Sequence, residues 1–271
     1  MTRSSLLSLC ATLFLGLGAS ANAGAQELVT ASPDITIGLA SGATVTDEEA
    51  AVDNQLGVIL TEAYAGLPVS ADIVALSRDA NGDSLLAFDT TLSLAGGIIA
   101  SPGDVVRFDG SVYTTEFDAS VEGVPAGVRT DAVSISSSGL ILSFDTTASL
   151  PGGITVADED LVRWTSGSYA VVMDGSASGL DSSLDIDAVQ DLGGGAFAIS
   201  LDTTGTAGGI VFADEDLMRW DGANWSLEYD ASAADPNWIA ADLNAVVVPE
   251  PGFAGLLVAG AALLVGFRKR S

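Results

Sequence analysis

Between residues 26 and 248 the chain alternates short apolar runs with turn residues, and no apolar stripe recurs at helical spacing over a long stretch. In the unit that begins at Asp131 the runs are DAVSI, LILSFD, ITVADEDLVRW and YAVVMD, in which valine, isoleucine and aromatic residues mix with polar ones. That is the chemistry of half-buried strands. Asn81-Gly82, Asp109-Gly110 and Ser138-Gly139 fall between such runs, and glycine there supplies the positive φ of a tight hairpin turn. The pattern predicts four short strands per unit.

The unit itself recurs. Asp89, Asp145 and Asp202 lie in the matching strings AFDTT, SFDTT and SLDTT, 56 and 57 residues apart. SPGDVVRF, ADEDLVRW and ADEDLMRW follow, placing Asp104, Asp160 and Asp216, and Arg107, Arg163 and Arg219, at intervals of 56. A third string recurs as DIVAL from Asp72, RTDAV from Arg129, DIDAV from Asp185 and DLNAV from Asp242, spaced by 57, 56 and 57. The N-terminal copy is degenerate: VTDEEAAV at Val45–Val52 aligns with VADEDLVR at Val156–Arg163, and the copy opens on its second strand, DITIGL at Asp34. The array ends on DLNAVVV at Asp242–Val248, the first strand of a unit. That offset lets the last strand complete the first unit, which is how a closed ring hides its sheet edges. The expected fold is all-β, a four-fold repeat of about 56 residues closed as a four-bladed β-propeller, with a β-sandwich or an open solenoid as the alternatives.

Charge narrows the function. Thirty-six acids face nine bases, a formal charge of −27, and the body keeps only Arg78, Arg107, Arg129, Arg163 and Arg219. Such a surface repels nucleic acid and anionic lipid. The body has no histidine, cysteine or lysine, which removes Ser-His-Asp and thiol catalysis, histidine-ligated metals, Schiff-base lysines and a phosphate-binding loop. The single Cys10 lies in the N-terminal apolar run, so no disulfide is expected.

Both ends read as addresses. Residues 1–25 carry Arg3, an apolar run from Leu6 to Leu17, and small residues at Ala21-Asn22-Ala23 or Ala23-Gly24-Ala25, the three parts of a cleavable secretory signal. The run of about 12 residues is short of the roughly 20 needed to span a bilayer. Residues 249–271 open on Pro249-Glu250-Pro251, continue through sixteen uncharged residues from Gly252 to Phe267, and close on Arg268-Lys269-Arg270. The prolines stop the preceding strand, the apolar run suits a single transmembrane helix, and the basic cluster holds its end on the cytoplasmic side.

This tail resembles the PEP-CTERM sorting tail of Gram-negative bacteria, also labelled an ice-binding protein C-terminal motif, and the resemblance covers the tail alone. It implies that Pro249, Glu250, Pro251, Arg268, Lys269 and Arg270 form a sorting signal read by an exosortase, with the inner membrane as a transient anchor. It also implies a genomic setting rich in exopolysaccharide machinery. The alternative is a plain C-terminal anchor. An ice-binding role is not expected, because the threonine strings recur only once per 56 or 57 residues, too sparse for a flat ladder.

Two constellations in the body are candidates for chemistry. The acidic corners around Asp104, Asp158, Asp160, Asp214 and Asp216 present the hard oxygen ligands that calcium prefers. The competing reading has them bond local backbone amides, or the repeated arginine three residues on. Asp79-Ala80-Asn81-Gly82-Asp83 lacks the glycine and glutamate of a calcium loop and reads as a turn. Aromatic pairs flank the tight turns, Phe108 with Tyr113, Trp164 with Tyr169 and Trp220 with Trp225. Trp225 and Trp238 are the candidate contacts for a sugar face, against a purely structural cross-strand role. The expected function is that of an exported, non-enzymatic cell-surface or matrix protein that binds exopolysaccharide or a neighbouring surface component. The alternatives are a calcium-stabilised structural array without a specific ligand and a carboxylate-based glycoside hydrolase.

Overall fold

The computed structural model describes residues 29–53 and 58–248. The signal segment and the sorting tail, with its expected transmembrane helix, lie outside the described residues. No helix among the described residues is long and apolar enough to cross a membrane.

Four antiparallel four-stranded sheets form the blades of a β-propeller. From the axis outward the second blade runs Ile73–Arg78, Ser84–Phe88, Val105–Phe108 and Tyr113–Phe117. The third runs Thr130–Ser136, Gly139–Phe144, Leu161–Thr165 and Ser168–Met173. The fourth runs Ile186–Gly193, Ala196–Leu201, Asp216–Trp220 and Trp225–Asp230. The first blade is split as the offset repeat predicts. Val29–Pro33, Glu49–Asp53 and Val58–Ala63 come from one end of the chain, and Leu243–Val247 from the other supplies the innermost strand. The closing pair is antiparallel, with Thr30 opposite Val247 and Ala31 opposite Val246. Each innermost strand packs against those of its two neighbours, so the ring is complete.

The core lies between blades. Four buried clusters occupy the four interfaces, from the first blade against the second round to the fourth against the first. Ala75, Ala132, Ala188 and Ala245, the alanine of each DIVAL-type string, are buried in successive clusters. A methyl side chain there lets neighbouring inner strands approach, which a ring of only four blades requires. Serines stitch the same seams: Ser77 Oγ accepts from the Ile135 amide at 2.9 Å and Ser134 Oγ from the Asp191 amide at 2.8 Å.

Two runs depart from expectation. DITIGL is not the second strand of the first blade: that strand is Val29–Pro33, just upstream, and Ile37–Gly38 pairs with Thr44–Val45 as a separate ribbon. ITVADEDLVRW is not a single strand. Ile154–Val156 pairs with Ala148–Leu150 as a separate two-stranded ribbon, and only Leu161–Thr165 enters the blade. The break is made by Asp160, whose carboxylate folds back to accept from the Ala157 amide at 2.9 Å while its own amide donates to the Ala157 carbonyl.

Candidate functional site

The acidic corners are turns closed by their own carboxylates. Asp104 accepts from the amides of Ser101 at 2.8 Å and Ala119 at 2.9 Å. Asp160 accepts from Ala157 and Gly175, each at 2.9 Å. Asp216 accepts from Ala213 at 2.9 Å, while its second oxygen is buried without a partner. Position 175 is glycine because a Cβ there would lie 2.0 Å from the Glu159 carbonyl oxygen. A serine clamps the Asp160 and Asp216 corners from beneath, Ser143 Oγ donating to the carbonyls of Asp158 and Asp160 and Ser200 Oγ to those of Asp214 and Asp216, whereas the equivalent residue at the Asp104 corner is Ala87. The arginine three residues on is not the partner: Arg107 pairs with Asp79, Asp83 and Glu116, and Arg219 with Glu228. Among the described residues no group of three or more carboxylates converges to hold a metal ion.

Both candidate tryptophans pack inward. Trp225 is 7% exposed, lies against Trp220 with ring centroids 5.2 Å apart, and donates from Nε1 to the Ser178 carbonyl at 2.8 Å. Trp238, on the short helical turn Pro236–Ala240, is 1% exposed within the seam between the fourth and first blades. Neither turns a ring face to solvent.

The unspent chemistry lies on the axis. Each innermost strand carries a one-residue β-bulge at the third position of its DIVAL-type string. Ile73 opposes Phe88 and Ala75 opposes Ala87, leaving Val74 unpaired. Asp131, Asp187 and Asn244 are the corresponding extra residues in the other blades. A bulge re-aims a side chain that would otherwise stay in the pleat, and all four of these residues line one axial cavity of about 230 Å³. Asp72, Arg129 and Asp185, from the first position of the strings, and Asp89 complete the wall.

This wall is short of partners. Arg129, its one cation, donates from Nε to Asp145 at 2.9 Å. Asp145, Asp202 and Asp34 accept from the amides of Arg129, Asp185 and Asp242 at 2.8, 2.9 and 2.8 Å, so these aspartates anchor the start of each inner strand. In the second blade that bond is missing, and Asp72 and Asp89 each keep a buried carboxylate oxygen without a hydrogen bond, as does Asp185. Asp131 is 7% exposed and accepts no hydrogen bond among the described residues.

Burial in such company favours the protonated acid. Burial, then the carboxylates of Asp185 and Asp145, pushes Asp131 up to about 8, with Arg129 pulling the other way. Asp72 and Asp185 are each pushed up to about 7, by burial first and then by Asp89 and Asp158 respectively. Burial and then Asp242 hold Asp187 well above the ordinary carboxylate range, and burial raises Asp242 too, with Asp187 pulling the other way. The corner residue Asp158 thus acts on the axis by its field.

A visible signal marked this site. Within strings whose second and fourth positions are apolar or small, the third reads valine, aspartate, aspartate and asparagine. A polar residue in the innermost strand of a closed ring is buried, and needs a reason.

The chain matches no protein-family model and no curated protein. Among solved structures it is similar to a protein of unknown function from Bacteroides caccae, with 7% identity over 75% of this chain and 57% of that one and a TM-score of 0.30. It is also similar to YCF48 bound to D1 peptide, with 7% identity, 68% and 51% coverage and a TM-score of 0.32. YjhT shows 13% identity, 70% and 54% coverage and a TM-score of 0.26. The chain spans just over half the length of each.

Proposed function

We propose that the chain is an exported bacterial surface protein whose β-propeller acts by binding and not by catalysis, delivered by its signal segment and sorted by an exosortase through its tail. The observation that carries this reading is the place of the closing strand. Leu243–Val247 completes the first blade, and Pro249 follows after the single residue Val248. The whole ring is therefore built upstream of the tail, and removing the tail would cost the fold no strand. Exopolysaccharide or a neighbouring surface component is the ligand this address suggests, and a body so strongly acidic favours neutral or cationic polymers over anionic ones.

A carboxylate-based glycoside hydrolase is the second reading, favoured by the raised acids on the axis. Its weakness is room. A cavity of about 230 Å³ seats one small group, whereas hydrolysis must position sugars on both sides of the bond along with a water.

Intact-mass measurement on protein from the native host is expected to show loss of the first 23–25 residues and of the apolar tail. A mature surface fraction that retains Gly252–Ser271 would defeat exosortase processing. A glycan array then tests the binding role, and polysaccharide turnover by the wild type that disappears in Asp131→Asn would replace binding with hydrolysis.

A further inference from the structure

We propose that the axial cavity is a binding site for a small organic cation carrying primary ammonium groups, held by Asp131 and the carboxylates of Asp72, Asp89 and Asp185. The site concerns the body alone and stands whether or not the tail is processed.

Three observations carry it. The first is construction: the same bulge in all four blades turns one residue each toward the axis, so the cavity is made by the repeat and is no packing gap. The second is what the repeat leaves unsatisfied. Asp131 is more than nine-tenths buried, lines the cavity and accepts no hydrogen bond, although a buried carboxylate without a donor is costly. Asp72, Asp89 and Asp185, which line the same cavity, each keep a buried oxygen without a hydrogen bond. A buried carboxylate on the wall of a cavity with no donor of its own calls for a guest that brings one. The third is the ionisable lining: five aspartates and a single arginine line the cavity, so a bound ammonium group would favour the ionised form of acids that burial otherwise keeps protonated.

Geometry chooses among cations. A divalent metal needs about six to eight oxygens drawn in to about 2.3–2.6 Å, and no three carboxylates gather that way among the described residues. An ammonium group asks less, since each N–H takes one acceptor at about 2.7–2.9 Å and several amines on one molecule can reach carboxylates spread around a wall. Arg129 beside Asp145 is an example already in place, a nitrogen cation held at the same rim. At roughly 30 Å³ per water, 230 Å³ holds about seven waters, which suits a guest of about six to twelve heavy atoms.

The test is isothermal titration of the full chain with putrescine, spermidine and glucosamine, beside N-acetylglucosamine, CaCl₂ and NaCl. Saturable binding of one amine per chain is expected, with no binding of N-acetylglucosamine, whose nitrogen is neutral. Asp131→Asn should weaken the amine about tenfold or more, because it removes the charge from a charge-assisted bond. Asp109→Asn, on an exposed hairpin turn, should leave it unchanged. Circular dichroism checks that each variant is folded, and Asp185→Asn is read in the same way should Asp131→Asn not fold. The proposal is overturned if no amine saturates the wild type, or if the folded axial variant binds as the wild type does. It is also overturned if Ca²⁺ displaces every amine and binds more tightly, which would make the cavity a metal site.

Discussion

Two sets of carboxylates lie near one end of the propeller, and they differ in kind. The corner set repeats faithfully: Asp104, Asp160 and Asp216 occupy equivalent places, and each folds back on the amide three residues before it. The axial set repeats in position but not in identity, with valine, aspartate, aspartate and asparagine on the four bulges and aspartate, arginine, aspartate and aspartate at the strand starts. Corner oxygens are largely spent on the backbone, while axial oxygens are left over. In a repeat protein each unit must solve the same folding problem, so a solution to that problem recurs with its residue. A position that keeps its geometry and varies its residue answers to something outside the repeat.

The largest expected effect comes from removing what both sets depend on. Deleting Asp242–Val248 opens the seam beside Val29–Pro33, exposes two sheet edges and withdraws Leu243, Ala245 and Val246 from buried clusters. Loss of the cooperative thermal transition is expected. Deleting Pro249–Ser271 should leave the melting temperature where it was, and equal melting of the two truncations would refute closure.

Next comes the difference between the sets themselves. Asp160→Ala strands the amides of Ala157 and Gly175 and should cost about 2–4 kcal/mol, or roughly 5–15 °C in Tm. Asp131→Asn removes a buried acid that accepts no hydrogen bond, and should leave Tm unchanged or raise it by a few degrees. Thermal melts of the two variants should therefore move in opposite directions or by very unequal amounts. Equal losses would mean that the axial acids are structural after all.

The axial set should also make stability depend on pH. An aspartate near 4 when unfolded and pushed up to about 8 or 7 when folded, as Asp131, Asp72 and Asp185 are, binds its proton more tightly in the native state. Stability from these groups is fully present below about pH 4, is lost progressively as pH rises, and is gone once pH has passed through 7 to 8. Turn aspartates held below their ordinary range, such as Asp109 and Asp118, titrate beneath that window. Tm is expected to fall by about 5–10 °C between pH 5 and pH 8.5, and Asp131→Asn should flatten the slope. A Tm that rises over this range would contradict the burial of these acids.

How much of this was legible beforehand depends on what the sequence repeats. The 56-residue spacing and the stray DLNAVVV at the end of the body disclosed both the number of blades and the way they close, because connectivity is written in the order of the strings. The ribbon Ala148–Val156 was hidden within a run that looks continuous, since the turn at Asp160 is made by a side chain and not by glycine or proline. The bulges were hidden more deeply. Alternation of period two cannot show an extra residue, and only the pairing of Thr130 with Phe144 and Ala132 with Ser143 reveals that Asp131 leaves the ladder. Trp238 is a candidate sugar contact by residue type, yet its place is a buried seam where the fourth blade meets the split first one, the one interface whose two sides come from opposite ends of the chain.

The smallest expected effect concerns calcium at the corners. Screening by salt and binding at a site differ in dose response, since screening follows ionic strength whereas a bound ion stabilises by mass action at low concentration. The body carries its acids in excess, so either mechanism would raise Tm. Site binding, however, needs several carboxylate oxygens free to face one ion. Asp104 and Asp160 each direct both oxygens to backbone amides, and no three carboxylates gather around a common point among the described residues. Millimolar Ca²⁺ and NaCl of matched ionic strength should therefore shift Tm alike, to within about 1 °C. Asp158 is the corner residue to watch, because its field already reaches Asp131 and Asp185 on the axis. A rise specific to Ca²⁺ that shrinks when Asp158 and Asp160 are replaced by asparagine would return calcium to the corners. A rise that shrinks only with Asp131→Asn would place it in the axial cavity instead.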